Sequence, residues 1–307
     1  MIPYLGEIAG LSAALCWSVG AVFWMRSVKA FGPGVVNRLR LGAATGFLAL
    51  GVACSGGAWP WELKPGDAGL LALSGVLGLS LGDVAYFHAL PILGPRLAML
   101  AHSLWPAVAA LLGWILLGET LSATSLAGMA LALAFTVWVA AERSASGDHA
   151  TAPPEGTSWS AWRLRGLSLS ALAMSLQAGG YVVAKMGAMG TGSLSATFTR
   201  MSVATAVTWT TVAARGQLPG TFRTVRARPR GCLDVLGGAL IGTAVGVWLA
   251  LLASQHTQVG IAGTLISTGP IWMIPVSRVF LGERPSIRSM LGTLGATAGI
   301  ALLILGK

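Results

Sequence analysis

One apolar segment of the sequence ends with Leu104-Trp-Pro-Ala-Val-Ala-Ala-Leu-Leu-Gly-Trp-Ile-Leu-Leu-Gly-Glu-Thr120, and another ends with Thr268-Gly-Pro-Ile-Trp-Met-Ile-Pro-Val-Ser-Arg-Val-Phe-Leu-Gly-Glu-Arg284. A single offset of 164 residues superimposes Pro106 on Pro270 and Gly118-Glu119 on Gly282-Glu283. A register kept from residue 78 to residue 128 indicates that the chain contains two homologous halves. The further matches are Gly78 with Gly242, Gly82 with Gly246, Ala89 with Ala253, Ser122 with Ser286 and Gly128 with Gly292.

The composition indicates a membrane protein. Of the 307 residues 54% are hydrophobic and only 10% are charged, and the mean hydropathy is +0.73. Such a chain has too little polar surface to cover a water-soluble globule of this size. Its formal net charge of +10 comes from basic residues that lie mostly between apolar stretches, which favours a role in membrane topology over nucleic-acid binding.

Three cysteines, Cys16, Cys54 and Cys232, lie inside or at the edge of apolar segments and have no metal-ligand spacing. We therefore expect small buried thiols, without a disulfide framework, a metal site or a cofactor. The first apolar run, residues 8–24, lacks a basic leader and a small-residue cleavage site. We predict a first membrane helix there and not a removed signal.

Ten apolar runs are long enough to cross a bilayer as helices, which takes about 20 residues each. A polar segment at residues 142–163, rich in Ser, Pro, Gly, Asp and Thr, separates five runs from the other five. The sequence therefore predicts a five-helix repeat over residues 1–141, a linker, and a second five-helix repeat over residues 164–307. The runs are 8–24, 35–54, 68–90, 97–117, 121–141, 164–184, 194–213, 232–253, 261–281 and 286–305.

The odd number of helices in each half has a topological consequence. A five-helix half that starts on one side of the bilayer ends on the other, so its homologous partner is inserted in the opposite orientation. Two inverted units can exchange conformations and open a central cavity alternately to either side, which is alternating access. The predicted fold is an all-α integral membrane protein with ten transmembrane helices as two inverted five-helix repeats.

Several of these residues carry a resemblance to a known family. They are the two Pro-to-Gly-Glu stretches, the Ala14-Leu-Cys-Trp17 of the first helix, and Arg40 and Arg200 in the second helix of each half. On these grounds the sequence resembles a ten-helix EamA-type member of the drug/metabolite transporter superfamily. The resemblance covers nearly the whole chain and implies a multi-pass transporter of the cell (inner) membrane, without indicating the substrate. The second half departs from the pattern, because Ser175-Leu-Gln-Ala stands where the first-helix signature would recur.

Two arguments leave the membrane orientation open. The short loops on one predicted side carry most of the basic residues, including five arginines between residues 215 and 230. The positive-inside rule places that side in the cytoplasm and both termini outside it. The resemblance implies instead that both termini are cytoplasmic.

Asp83 is the only acidic residue that the sequence places clearly inside an apolar run. An ionised carboxylate at a helix centre costs about 2.5 to 3.5 kcal/mol on insertion scales, so it usually faces protein or a water-filled cavity. One role is proton coupling, or a counter-charge for a cationic substrate group. The other role is a buried ion pair with Arg38 or Arg40 of the second helix, and a pair that breaks during transport would combine the two.

Two histidines, four tryptophans, two tyrosines and one glutamine complete the candidate site. His88 and His102 could titrate near neutral pH, although a neutral, hydrogen-bonded core histidine is the commoner arrangement, and no third ligand supports a metal site. Aromatic rings near a helix-kinking proline could line a pocket for an aromatic or amphipathic substrate, and packing against core or lipid is the alternative. Trp17 and Trp105 are the first candidates among them. The candidate substrate-binding residues are Trp17, Asp83, Tyr86, His88, His102, Trp105, Gln177, Tyr181, Trp248 and Trp272.

Two recurring acidic residues have a structural explanation. Glu119 and Glu283 each lie at a short turn between helices, with Ser122 or Ser286 three residues later. A carboxylate and a hydroxyl there can satisfy the free amides of a helix N-terminus, so we predict capping and not catalysis.

The leading hypothesis is a secondary transporter that exports a small metabolite, such as an amino acid or an aromatic or amphipathic compound. Proton coupling through Asp83 is a separate hypothesis. The alternatives are a lipid flippase-like carrier and an intramembrane enzyme using Asp83, His88 and His102, for which the sequence shows no HExxH motif and no recognisable pairing of nucleophile and base. The expected partners are a small-molecule substrate and the lipid bilayer, and not nucleic acid.

Overall fold

The computed structural model describes residues 3–86, 88–90, 92–93, 104–143, 158–281 and 287–306. This part of the chain contains helices and turns and no strand, which confirms the predicted all-helical fold class. A short 3-10 turn, Pro60–Glu62, lies between the second and third helices. The helices are α1 Leu5–Phe31, α2 Pro33–Ser55, α3 Pro65–Leu90, α4 Trp105–Leu117, α5 Ala123–Arg143, α6 Trp159–Ala188, α7 Ser193–Ala214, α8 Leu218–Ala227, α9 Gly231–His256, α10 Val259–Ile266, α11 Gly269–Leu281 and α12 Ile287–Leu305.

Within the described residues, six helices are both long and apolar enough to cross a membrane: α1, α2, α3, α6, α9 and the segment Val259–Phe280 formed by α10 and α11. Three more apolar helices are shorter, Trp105–Leu117, Ala123–Val139 and Met290–Leu305. The chain is thus a multi-pass membrane protein. The number of ten spans stays a prediction.

The chain divides into two compact units that do not follow the two sequence halves. Unit 1 comprises Met1–Val76 and Val183–His256, and unit 2 comprises Leu77–Val182 and Thr257–Lys307. Each unit therefore combines helices from the first half of the sequence with helices from the second half.

In unit 2 the last helices of the two sequence halves, α5 and α12, pack against each other. Gly128 lies against Leu303, whereas Gly292 lies against Val139. Because the contacting positions rise along α5 as they fall along α12, the two helices run antiparallel. A side chain at Gly128 would collide with the backbone of α12, so glycine permits the close approach.

In unit 1 the same antiparallel arrangement joins α1 to α9. Gly231 faces Phe31 at one end of the contact, and Gly246 faces Trp17 further along. The second helices of the two halves, α2 and α7, also pack together, with the hydroxyls of Thr45 and Thr205 2.7 Å apart. A cluster in the core of this unit consists of Leu71, Ala184, Ala188, Ala196 and Leu251.

A π-helical segment interrupts the third helix of each half. In α3 it spans Gly75–Gly82, and in α9 it spans Ala239–Val245. The repeat offset places Gly75 on Ala239, so the two segments begin at equivalent positions. Such π segments are rare and often occur at functional sites.

Proline explains a break that divides the ninth predicted run. Helix α10 ends at Ile266 and α11 begins at Gly269, one residue before Pro270. Proline has no backbone N–H, and its ring would clash with the carbonyl of Ile266 in a continuous helix. Helix α4 begins in the same way, at Trp105, one residue before Pro106. The two prolines therefore occupy equivalent positions in the repeat, and each is the second residue of its helix.

The structure adds one helix that the sequence analysis did not predict. Helix α8 lies in the connection between the seventh and eighth predicted runs. Its ten residues are too few and too polar to form one of the apolar runs of about 20 residues that predict a membrane span. Most of the predicted linker, residues 144–157, lies outside the described residues.

Candidate functional site

A group of predicted site residues in unit 2 is centred on Asp83, which directly follows the π segment of α3. Its carboxylate oxygen Oδ1 accepts a hydrogen bond from Nε2 of Gln177 on α6, at a distance of 3.3 Å. Gly82 permits this approach, because a Cβ at Gly82 would lie only 2.8 Å from Cγ of Gln177. Both polar side chains are half-buried.

Two tyrosines and Trp105 extend this group. Tyr86 follows Asp83 by three residues and Tyr181 follows Gln177 by four, so each shares a helix face with its polar neighbour. The ring of Tyr181 makes an edge-to-face contact with Trp105, with centroids 5.4 Å apart. Trp105 and Tyr181 are only 8% and 6% exposed. We call Asp83, Tyr86, Trp105, Gln177 and Tyr181 the Asp83 cluster.

The Asp83 cluster has the chemistry to bind a cationic or zwitterionic group. An ionised carboxylate forms a strong, charge-assisted hydrogen bond with an ammonium group, and aromatic rings attract cations. The amide of Gln177 and the tyrosine hydroxyls can both donate and accept hydrogen bonds. The carboxylate of Asp83 is also a group that can take up and release a proton.

The other predicted residues of unit 2 have different surroundings. His88 is exposed, and its Nδ1 lies 2.7 Å from the carbonyl oxygen of Val84 in its own helix. Trp272 is half-buried in α11. His102 lies outside the described residues, so the structure does not bear on its predicted role.

In unit 1, Trp17 and Trp248 both take part in helix packing. A Cβ at Gly246 would lie 2.6 Å from the indole of Trp17, so this ring fills the space that glycine leaves open. The indole Nε1 of Trp248 donates a hydrogen bond to Oγ of Ser193 at 2.9 Å.

Trp17 and Gln177 make equivalent contacts in the two halves of the chain. The side chain of Trp17 faces Gly246, which directly follows the π segment of α9, and that of Gln177 faces Gly82, the last residue of the π segment of α3. The offset of 164 residues superimposes these two glycines. The repeat thus keeps the same contact in both units but places an indole in one and a polar amide in the other. The loss of the tryptophan signature in the second half gives Asp83 a polar neighbour.

The structure buries two charged side chains that the candidate set omits. Glu7 is 2% exposed and Arg200 is 4% exposed, and both belong to unit 1. Ionisable residues inside membrane helices are candidates for function by default, which is the rule that could have identified them. Glu7 precedes the first predicted run, which begins at residue 8, whereas α1 begins at Leu5. Arg200 has a predicted role only as one of the residues that carry the family resemblance.

Neither of two hollows in the described part of the chain is lined by a residue of the Asp83 cluster. A cavity of about 170 Å³ in unit 1 is lined by Lys185, Met189 and Gln255. A groove of about 390 Å³ in unit 2 is lined by Ala107, Ala110, Leu111, Trp114, Glu119, Thr120, Leu121, Leu126 and Met129.

One motif of α3 has the spacing of an enzyme nucleophile. The sequence Gly78-Leu-Ser-Leu-Gly82 matches the GxSxG pattern of hydrolases. That pattern forms a sharp turn from a strand to a helix, whereas here it lies inside the π segment and Ser80 is 6% exposed. The match therefore supplies no exposed nucleophile.

Glu119 and Ser122 both satisfy helix N-termini, but of two different helices. Oγ of Ser122 accepts a hydrogen bond from the backbone N–H of Ser125 at 3.0 Å, at the start of α5. Oε2 of Glu119 accepts one from the backbone N–H of Val259 at 2.7 Å, at the start of α10. Glu119 thus joins a turn of the first sequence half to a helix of the second. Glu283 lies outside the described residues.

Both halves of the chain match the sequence model of a known protein family. The sequence model of the EamA-like transporter family matches residues 4–141 and 164–305. The threonine/homoserine exporter RhtA of Salmonella typhimurium, in strains SL1344 and LT2, is 34% identical over 122 residues. These residues are 39% of this chain and 40% of the exporter, so the match covers less than half the length of either protein.

A protein of known crystal structure shares the fold. Its similarity extends over 98% of this chain and 96% of its own, with a TM-score of 0.72 and 18% sequence identity. An identity this low supports the fold and says nothing of the substrate.

Proposed function

The chain belongs to the EamA-like transporter family, and on this premise we propose that it is a secondary transporter that exports a small metabolite across the cell (inner) membrane. The observation that carries the proposal is the match of the family model to both halves of the chain. A transporter requires a multi-pass membrane protein, and the six long apolar helices meet that requirement.

The proposed architecture is ten spans in two inverted repeats, residues 1–141 and 164–307, joined by a linker at 142–163. Three observations support it. The equivalent helices α5 and α12 run antiparallel, as inverted copies would. The π segments begin at equivalent positions of α3 and α9, and Pro106 and Pro270 stand at equivalent helix starts. Exchange of conformations between the repeats would provide alternating access.

The proposed substrate is a small zwitterionic amino acid. Asp83 would bind its ammonium group, while Gln177 and the tyrosines would hydrogen-bond its polar atoms. The name of the relative RhtA, an exporter of threonine and homoserine, supports this class, although the match covers only 39% of this chain. An aromatic or amphipathic cation is the alternative substrate, for which the rings of Trp105 and Tyr181 would provide most of the contact.

Asp83 is also the proposed site of proton coupling. A carboxylate that binds either a proton or the substrate ammonium group couples proton transport to substrate transport. The coupling arises because the proton and the ammonium group compete for the same negative charge. The partly buried setting of Asp83 beside Gln177 supports this role.

A second candidate function is lipid transport, favoured by the groove of unit 2. Leu111 and Trp114 in its lining are 53% and 59% exposed, so the groove is open to the surroundings of the helix pair. Its lining is mostly apolar and would suit an acyl chain. Reconstitution with fluorescent lipid in both leaflets tests it, because a lipid carrier would expose the inner-leaflet probe to an external quencher.

A ligand-stabilisation screen on the purified protein tests the substrate class. A ligand that binds only the folded protein raises the melting temperature in proportion to the logarithm of its concentration above Kd. We expect threonine and homoserine to raise it, and their decarboxylated amines to do so less. A shift with amphipathic aromatic cations and none with amino acids would contradict the proposed class.

A further inference from the structure

Helix α8 is a basic amphipathic helix to which the proposed transport function assigns no role. Its sequence is Leu-Pro-Gly-Thr-Phe-Arg-Thr-Val-Arg-Ala, residues 218–227. Five arginines lie between residues 215 and 230, and the sequence has no acidic residue from 156 to 233. The segment itself therefore carries only positive charge, and the next acidic residue is Asp234, four residues after Arg230.

Contacts with three other helices hold α8 on unit 1. The guanidinium of Arg38 on α2 donates hydrogen bonds to the hydroxyl of Thr221 and the side-chain oxygen of Gln217. The guanidinium of Arg228 donates to the carbonyl of Ala30, near the end of α1. The ring of Phe222 contacts Trp209 of α7, with centroids 6.2 Å apart. These contacts fix which face of α8 points outward.

The inner face contains the buried Thr221 and the half-buried Leu218 and Val225. On the outer face, Phe222 is 60% exposed, and Arg226 follows it by one helical turn. Arg223 is exposed beside them. An apolar ring thus stands next to two arginines on the outer face.

The position of α8 in the chain indicates that this helix lies near a membrane surface. Only residues 228–230 separate α8 from α9, which is long and apolar enough to span the bilayer. A short helix at the end of a membrane span lies near the headgroup region, where phenylalanine enters the acyl boundary and arginine binds phosphate oxygens.

From these observations we propose that the outer face of α8, formed by Phe222, Arg223 and Arg226, is a binding surface for the headgroups of anionic phospholipids. The guanidinium groups would bind the lipid phosphate, and the ring of Phe222 would insert among the upper parts of the acyl chains. The proposal does not depend on the transported substrate or on the Asp83 cluster.

Native mass spectrometry of the detergent-purified protein tests the proposal, with added phosphatidylglycerol or phosphatidylcholine of the same acyl chains. We expect the wild-type protein to retain phosphatidylglycerol in preference to phosphatidylcholine. The double variant Arg223→Gln/Arg226→Gln should lose affinity for phosphatidylglycerol by about fivefold per arginine. The double variant Arg223→Lys/Arg226→Lys should keep most of the preference, because it keeps the charge.

The matched control is Arg163→Gln/Arg165→Gln, which removes the same charge from two exposed arginines of α6. This control should retain the wild-type preference. Equal losses in both double variants, or no loss in either, would overturn the proposal. Displacement of the lipid by millimolar inorganic phosphate would also overturn it, because it would indicate a site for free phosphate.

A second variant tests the apolar part of the surface. Phe222→Ala should weaken retention of both lipids, whereas Phe222→Leu should preserve it. Retention by Phe222→Ala equal to that of the wild-type protein would contradict the insertion of this side chain. Melting temperatures of all variants show whether each one is folded.

Discussion

The side-chain amide of Gln177 donates a hydrogen bond to the carboxylate of Asp83, with 3.3 Å between Nε2 and Oδ1. The two residues come from different halves of the sequence, and Gln177 makes the contact with Gly82 that Trp17 makes with the equivalent Gly246. The amide keeps one side of the carboxylate in a polar environment. The carboxylate of Asp83 is the group that we expect to bind the substrate or a proton.

Replacing Asp83 with asparagine should impair substrate binding and remove the pH dependence of transport. A hydrogen bond to a charged group contributes about 1.5 to 3 kcal/mol, so we expect KM to rise by about tenfold to a hundredfold. The measurement is the initial rate of uptake into proteoliposomes over a range of external pH. Asp83→Glu keeps the titratable group and should keep a pH dependence. An unchanged pH profile in Asp83→Asn would exclude Asp83 as the coupling group.

Removing the indole of Trp105 should destabilise the protein. The ring is 8% exposed and contacts Tyr181 edge to face, so Trp105→Ala should lower the free energy of unfolding by about 3 to 5 kcal/mol. Trp105→Phe keeps an aromatic ring at this contact and should lower the free energy of unfolding much less. Trp114→Ala is the matched control on α4, because Trp114 is 59% exposed and should be nearly neutral. Thermal unfolding in detergent measures all three, and equal shifts for Trp105→Ala and Trp114→Ala would be the contrary result.

Glu119 should contribute to stability and not to transport. Its carboxylate accepts the backbone N–H of Val259, so Glu119→Ala should cost about 0.5 to 2 kcal/mol, as the loss of a helix cap does. Glu119→Gln keeps an acceptor and should cost less. The check is thermal unfolding together with the pH profile of transport. A changed pH profile in either variant would assign Glu119 a role in coupling that we do not expect.

Gly128 should be intolerant of any side chain. A Cβ there would collide with the backbone of Leu303, so Gly128→Ala should destabilise the protein by about 1 to 3 kcal/mol through separation of α5 from α12. Gly46→Ala is the control, because Gly46 is exposed on α2 and an added Cβ would meet no atom within 4 Å. Gly46→Ala should leave the free energy of unfolding unchanged or raise it slightly, since alanine has a higher helix propensity than glycine. Comparable melting temperatures for the two variants would contradict the close packing of α5 and α12.

The apolar runs and the repeat register predicted most of the helix positions. Hydropathy is sufficient for this purpose, because a membrane helix must be apolar over a fixed length. The break before Pro270 divides a predicted run, and it follows from the local chemistry of proline, which has no backbone N–H. Helix α8 could not be found in this way, because its stability comes from contacts such as Arg38 with Thr221, which are distant in sequence.

The candidate site was predictable only in part. Asp83 stands out in the sequence because it is a charge in an apolar run, but its hydrogen bond to Gln177 depends on the packing of α3 against α6. The burial of Glu7 likewise depends on where α1 begins, which apolar periodicity does not define to within a turn. His88 was proposed from its residue type, and its contact with the carbonyl of Val84 follows from its side-chain conformation.

Counterflow in proteoliposomes tests the central claim most directly. Vesicles containing the purified protein are loaded with unlabelled threonine or homoserine and diluted into the radiolabelled amino acid. A transporter of this class should accumulate the label transiently and saturably, and Asp83→Asn should reduce the rate. No accumulation above that of protein-free vesicles, for these or any other small amino acid, with a protein that unfolds cooperatively, would contradict the proposed transport of a small amino acid.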